Sequence, residues 1–437
     1  GVQPLAKSFQ TFFMGAAGGG SSPYWIALYG GSGSESAGTI AVDSSDNIMV
    51  GGTHLIKYSL DGSLTWQKNF TSLAGGEGGI SLDSSDNIYA VGQIYPGSLT
   101  TIVKSNSSGA QQWGKQFGNA SYDINYKSAT DSSGNTYAVG LIRNGGGAGQ
   151  TNKPTVQKYN SSGVAQWRKS FNWSQTSHVG NGQGISIDSA GYIVFSGTHY
   201  GTNEPSVISK TNSSGSLQYS KKVTIGTQSQ FLSVATDGST NSYVAGWADG
   251  ASPAGSARQG TVAKFTSGGG GVWGRKVSVN FSGTYKAVKF WNCALDSSDN
   301  LYVVGESRDT NDVLSGNILK YNSSGVLQWQ RRIGTGSSTS LKAVAITSDD
   351  SIVVAGYISG AGSGSNDIFT AYLAADGSGT GTYASNITYE SSSLADASLS
   401  LSLSNTGYSF DNTSGTETNY PNASSDASLT STLYSVG

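Results

Sequence analysis

The stretch Asp296-Ser-Ser-Asp-Asn-Leu-Tyr-Val-Val-Gly305, continued by Lys320, Gly325 and Trp329, decides the fold. Each half sets a turn of Asp, Asn, Ser and Gly between two β-rich runs, which is how a hairpin is written in sequence. The first half recurs at Asp43–Gly52, Asp83–Gly92 and Asp131–Gly140, and in weaker form at Asp188–Gly197, Asp237–Gly246 and Thr347–Gly356. All seven copies keep Gly nine positions after their first residue. The second half recurs as Lys57/Gly62/Trp66, Lys104/Gly109/Trp113, Lys158/Gly163/Trp167 and Lys264/Gly269/Trp273, while Lys210/Gly215/Tyr219 changes only the aromatic. Two hairpins are four strands, and a unit of about 40–50 residues repeated in this way predicts propeller blades.

The ends of the series fix its closure. The seventh copy has Tyr372 at the Lys position and Gly377 five residues on, but Gly381 where the aromatic belongs. Conversely, Trp25 opens the chain without a hairpin partner, 18 residues before Asp43, as Trp113 stands 18 before Asp131. The strand missing from the seventh blade is thus the surplus one at the start, so Trp25–Gly30 is expected to pair with Ile368–Leu373. Such closure hides a sheet edge and ties the chain ends together, whereas an open solenoid favours capping repeats.

The units resemble the bacterial β-propeller repeat family, most closely in segments Trp25–Asp43 and Asp296–Trp329, over roughly residues 24 to 378. The resemblance implies an all-β, seven-bladed propeller of four-stranded blades, closed by the N-terminal strand. It implies little about function, because propellers serve unrelated tasks. The chain divides into an N-terminal anchor segment (1–23), the propeller (24–382) and an extended C-terminal arm (383–437).

Composition narrows the rest. With 62 Gly, 12% charged residues and 10% aromatics, the chain suits short strands and tight turns rather than helices. A net charge of -2 without a basic run argues against nucleic acid as a partner. The single Cys293 excludes an intrachain disulfide. No run approaches the ~20 apolar residues of a membrane span, and the first residues lack the basic start and apolar core of a secretory leader.

Signals for chemistry are sparse. Asp-Ser-Ser-Asp-Asn could wrap calcium, but it lacks the Gly and distal Glu of an EF-hand loop, and Asp and Asn serve turns by bonding their own backbone. The turn reading is preferred, with no metal expected. The once-per-blade tryptophans are read as wedges between sheets, and the recurrent lysines as strand residues with solvated heads. His54, His178 and His199 fall in different repeats and read as surface or loop residues. No nucleophile elbow, phosphate loop or His-Glu-x-x-His site occurs, so no catalytic residue and no cofactor is assigned.

Insertions gather in Arg143–Lys153, His199–Pro205, Trp247–Gly260 and Glu306–Gly316, which predicts a common binding face. Trp247, Arg258 and Arg143 are its anchor candidates, with Trp247 taken as exposed. At the ends, Val2, Leu5, Phe9, Phe12 and Phe13 keep helical spacing and predict a short docking helix. The tail turns to Ser, Thr, Asn and Ala with five acids and no base, and Leu399, Leu401 and Leu403 alternate as one face of a strand. Phe9, Phe12, Phe13 and these leucines are therefore expected to anchor the chain on a partner.

The Ser/Ala/Asp/Leu-rich tail and the opening Val-Gln-Pro-Leu-Ala-Lys-Ser-Phe-Gln-Thr-Phe-Phe look like the ends of structural proteins from tailed phages of marine bacteria. That resemblance implies a non-enzymatic virion component, a decoration or tail/fibre protein. Its partners would be other structural proteins and a host-surface glycan or protein, without membrane insertion. The second reading is a secreted or cell-surface bacterial propeller that binds glycans or proteins.

Overall fold

A computed structural model describes residues 24–30, 33–52, 54–70, 78–94, 99–117, 123–144, 151–172, 180–199, 204–249, 258–279, 287–309, 311–361, 365–383 and 386–406. It also gives the backbone pairing of 8–13, 409–412, 417–419 and 424–426. The chain is all-β, with seven blades of four antiparallel strands arranged as a β-propeller. Blade 6, for example, runs Val288–Leu295, Leu301–Arg308, Leu314–Tyr321 and Leu327–Gly334, from inner strand to outer.

Two compact units are resolved. In the first, the inner strands Val288–Leu295, Thr339–Ile346 and Ala37–Val42 of blades 6, 7 and 1 lie against one another in that order. In the second, Gly79–Leu82, Ile124–Thr130, Gly180–Ile187 and Ser229–Thr236 do the same for blades 2 to 5. The core lies between successive sheets, as where Tyr302, Val304 and Ile318 of blade 6 meet Leu341, Val344 and Val354 of blade 7.

Ring closure is as expected from the sequence. Trp25–Gly30 is the outer strand of blade 7, in register Trp25↔Tyr372 through Tyr29↔Ile368. The Trp25 side chain is fully buried, and its indole donates to Leu60 O at 2.8 Å.

The repeated motif is a latch. In the first turn the fourth residue takes a left-handed backbone, as at Asp46, Asp86 and Asp299 (φ 59°), a conformation that favours Asp, Asn or Gly. The leading Asp accepts the turn's N–H groups: Asp43 Oδ1 takes Ser45 N at 3.0 Å and Asn47 N at 2.8 Å. Its other oxygen takes the motif lysine, with Lys57 Nζ 2.8 Å from Asp43 Oδ2. Blades 2, 4, 5 and 6 repeat the ion pair, from Lys210–Asp188 at 2.6 Å to Lys104–Asp83 at 3.7 Å. In these five blades the lysine heads are paired and largely buried, a correction to the solvated-head expectation, while Lys158 of blade 3 donates to Ser213 O at 3.2 Å. Strand pairing sets motif lysine and motif tyrosine opposite each other, as Tyr302↔Lys320, and beside the turn carboxylate.

Within each unit the latches reach the following blade. Trp113 Nε1 donates to Ser161 O at 3.0 Å, and Trp167 Nε1 to Ser213 O at 3.1 Å. The motif glycine of that next turn lies flat on the indole: a Cβ on Gly163 would stand 2.7 Å from Trp113 Cδ2. Tyr219 fills the same place under Gly269. Trp25, Trp113, Trp167 and Trp329 are inter-blade wedges.

Both chain ends add strands to the ring. Ser8–Phe13 pairs antiparallel with Trp25–Gly30, with Phe9↔Tyr29, Phe12↔Ile26 and Phe13↔Trp25. The docking helix expected there is corrected to a strand over those residues. A short helix is marginal alone, and an open sheet edge offers a full row of backbone partners. The arm is extended, as expected, but it lies on the chain's own blades. Its strands Ile387–Ser391, Ala395–Ser398, Ser402–Asn405, Ser409–Asn412, Glu417–Asn419 and Ser424–Asp426 join the outer strands of blades 6, 5, 4, 3, 2 and 1 in turn.

Candidate functional site

The glycine nine positions into each motif has a steric cause, and that cause locates a site. A Cβ on Gly140 would stand 1.9 Å from Ile124 O, on Gly305 2.0 Å from Lys289 O and on Gly356 1.9 Å from Ser340 O. The inner strand presses this close because it carries a β-bulge opposite the glycine. Register shifts fall at Ala37/Thr39, Asn125/Lys127, Gly182/Gly184, Phe231/Ser233, Phe290/Asn292 and Leu341/Ala343. The bulged residue stands five positions before the motif's first residue in every case. A bulge re-aims one side chain out of the ladder and is often found beside functional sites.

The residues at the corresponding position vary: Gly38, Gly78, Tyr126, Gln183, Leu232, Trp291 and Lys342 occupy it in blades 1 to 7. The position two before it is also free, and it pairs across the ladder with the residue after the glycine. Those pairs are Gln230↔Trp247, Lys289↔Glu306 and Ser340↔Tyr357 in blades 5, 6 and 7.

Blades 6 and 7 bring their three free positions together. Lys289 Nζ and Lys342 Nζ each lie 3.5 Å from the centroid of the Trp291 ring, and Lys342 lies 5.8 Å from that of Tyr357. Glu306 Oε2 accepts from Lys342 Nζ at 3.2 Å and from the Ser340 hydroxyl. Burial alone would raise the Glu306 carboxyl, but the Lys342 charge and the Ser340 hydrogen bond outweigh it and hold the group below the usual carboxylate range. Burial first and the Glu306 charge second raise Tyr357 above an ordinary tyrosine, against Arg308. Arg308, next along the Glu306 strand, pairs with Asp312 at 3.7 Å on the surface.

Lys289, Lys342 and Arg308 against Glu306 and Asp312 leave one surplus positive charge around a partly exposed indole. Such a group can receive an anion on the two ammonium groups that sit on the indole, and hydroxyls on Glu306 and Tyr357. Among the described residues no three His, Cys, Asp or Glu side chains gather as they would around a metal ion.

Trp247 and Arg258 are also brought together, but not as expected. Trp247 is buried, 4% exposed, rather than an exposed anchor, because both faces of its strand are covered. The Arg258 guanidinium covers its ring at 4.1 Å and stands 3.5 Å from Asp249 Oδ1. Arg258 itself keeps 44% of its side chain exposed. Arg143 lies at the end of a described strand, its side chain outside the described residues, as are loop residues 145–150, 200–203, 250–257 and 310. His54 is buried against Tyr29 at 5.3 Å, a correction to the surface reading; His178 and the His199 side chain lie outside the described residues.

Leu399, Leu401 and Leu403 pack on the chain's own blades 4 and 5. Phe9, Phe12 and Phe13 belong to the added strand on blade 7, their side chains outside the described residues. Lys289, Trp291, Glu306 and Lys342 were not singled out from the sequence. The signal was present, as positions that vary inside an otherwise strict repeat.

No family model matches the chain, and no curated protein sequence matches it. Solved structures with similar folds include a protein from Lactobacillus plantarum, 12% identical over 74% of this chain and 91% of that one, at a TM-score of 0.44. A polysaccharide lyase is 11% identical over 78% and 90%, at a TM-score of 0.44. An ulvan lyase is 12% identical over 85% and 93%, at a TM-score of 0.41.

Proposed function

We propose that this chain is a non-enzymatic attachment propeller that binds an acidic saccharide at the free positions of blades 6 and 7. The observation that carries the reading is Trp291, re-aimed by its bulge and flanked by two ammonium groups at 3.5 Å. A sugar ring offers one apolar face and many hydroxyls, and an acidic sugar adds a carboxylate or sulfate. Lys289 and Lys342, held on the Trp291 ring, suit the acidic group, and Glu306 and Tyr357 the hydroxyls.

The two ionisable groups facing the lysines are poorly set for acid–base work, which supports the non-enzymatic reading at this site. A general acid or base works best with a pKa near the operating pH. Glu306 is held down and Tyr357 is pushed up, so both move away from neutrality. Display on a virion remains the location favoured by the composition of the two ends, with a bacterial cell surface second. The ends support it through composition alone, since both add strands to the chain's own blades.

An immobilised panel of acidic and neutral saccharides tests the reading. The wild type is expected to retain acidic members, and Trp291→Ala and Lys342→Ala to weaken binding about tenfold or more, the equivalent of about 1.4 kcal/mol. Retention of no acidic saccharide, equal retention by Lys342→Ala, or conversion of any member to product would overturn it.

A further inference from the structure

The C-terminal arm and the outer strands it covers are matched in charge, and the match stops where the arm stops. The outer strands of blades 1 to 6 each carry at least one base, Lys68, Lys115, Lys169, Lys221, Arg275 and Arg332 among them. The outer strand of blade 7, Trp25–Gly30, carries none, and it receives the N-terminal strand, which has no acid between Ser8 and Phe13. The arm has five acids and no Lys, Arg or His.

Contacts follow the match. Arg332 grips Glu390 through Nε at 3.0 Å and through Nη2, Arg275 stands 3.7 Å from Asp396, and Lys221 Nζ donates to Asn405 Oδ1 at 2.7 Å. Shape is matched as well. Leu401 covers Gly271 and Gly274 on the outer strand of blade 5, where a Cβ would lie 3.2 and 3.1 Å from its methyl carbons.

The hold is uneven along the arm. Ile387 and Tyr389 are fully buried and root it on blade 6, and Gln330 clasps Leu394 through both backbone groups at 3.1 Å. From Ala395 to Thr406 every residue is partly or fully exposed. Strand addition to an edge is held by backbone hydrogen bonds plus a few side-chain pockets, and the same contacts form whichever copy supplies the strand. We infer that the outer strands of blades 4 and 5 form a strand-exchange surface, and that the partner it fits is the distal arm of a second copy of this chain. The rooted segment stays on its own blade 6 while residues from Ala395 onward cross to the neighbour, so copies are joined by an identical exchanged element.

The test uses the full chain. Equal amounts of normal and heavy-nitrogen protein are mixed, held at high salt to loosen the ion pairs, returned to low salt and coupled by a zero-length carboxylate-to-amine reagent. The arm has no amine, so every arm-to-rim link joins an arm carboxylate to a rim lysine such as Lys222 or Lys276. Exchange predicts that about half of the arm-to-rim links join unlike isotopes, the random expectation for identical donors, together with a dimer fraction by light scattering. Links confined to like isotopes, or no arm-to-rim links at all, would overturn the inference.

A charge-swapped pair gives an independent reading. Chains with Arg275→Glu and chains with Asp396→Arg are each mismatched within themselves and matched to each other. They are expected to associate one to one when mixed, while a chain bearing both changes is matched to its own copies and exchanges as the wild type does. Failure of the two matched chains to associate, with the chain bearing both changes folded, counts against exchange.

Discussion

The two ends of each inner hairpin follow opposite rules. At the turn end the same residues recur with recurring partners: Asp on the turn N–H groups, Lys on Asp in five blades, an aromatic on the next blade's glycine. At the other end the geometry recurs, bulge against glycine, while the side chains it presents differ from blade to blade. The comparison teaches that this chain separates what makes a blade from what a blade displays. Blades 6 and 7 display Lys289, Trp291, Glu306, Lys342 and Tyr357; among the described residues the other blades show no comparable meeting of cations on one aromatic at these positions.

The sharpest way to break the comparison is at the glycine, the one residue that serves both ends. Gly140→Ala and Gly305→Ala each force a methyl into a carbonyl oxygen, at 1.9 and 2.0 Å. Each is expected to cost about 4 kcal/mol, among the larger single-residue effects, measured by chemical denaturation. Only Gly305→Ala, whose partner strand carries Lys289 and Trp291, should also weaken saccharide binding in whatever folded fraction remains.

A change confined to the turn end comes next. Lys320→Met leaves Asp296 buried with its turn hydrogen bonds but without a cation, and breaking a buried pair on one side costs about 3 kcal/mol. Trp113→Ala removes a half-buried wedge and should cost about 2 kcal/mol, below the full-burial range. Binding by the refolded proteins should match the wild type in both cases.

Acid titration reads the turn ends together. Burial pushes Asp43, Asp83, Asp237 and Asp296 up, but their turn asparagines and neighbouring lysines or tyrosines outweigh it, so all four lie below the ordinary value. A carboxyl lowered by folding stabilises above its unfolded pKa and loses that contribution as pH falls through the folded value. The melting temperature should therefore be flat above about pH 5 and fall progressively below about pH 4. A midpoint unchanged down to pH 2 would mean that these ion pairs contribute nothing.

Much of this was legible in the sequence because the turn end is written in residue identities. Asp-Ser-Ser-Asp-Asn, the Lys–Gly–Trp spacing and the orphan Trp25 gave seven blades and the closure register before any coordinates. Other features depend on where a side chain ends up. The lysine heads looked like solvated ones because their Asp partners stand a strand away. Trp247 looked exposed because it opens an insertion, yet both faces of its strand are buried. The N-terminal phenylalanines fit a helix until the outer edge of blade 7 offered a strand partner. Trp291, Lys289 and Lys342 escaped notice for the same reason that makes them informative: a repeat draws attention to what recurs, and these positions vary.

The most direct test of the separation is the melting-temperature shift produced by an acidic saccharide in Trp113→Ala and Trp291→Ala, measured side by side. Ligand that binds the folded state alone raises the midpoint, by an amount set by its affinity. The account predicts that Trp113→Ala melts lower than the wild type and keeps the full shift, while Trp291→Ala melts close to the wild type and loses it. A full shift in Trp291→Ala, or its loss in Trp113→Ala, would contradict the claim that binding resides in the residues that depart from the repeat.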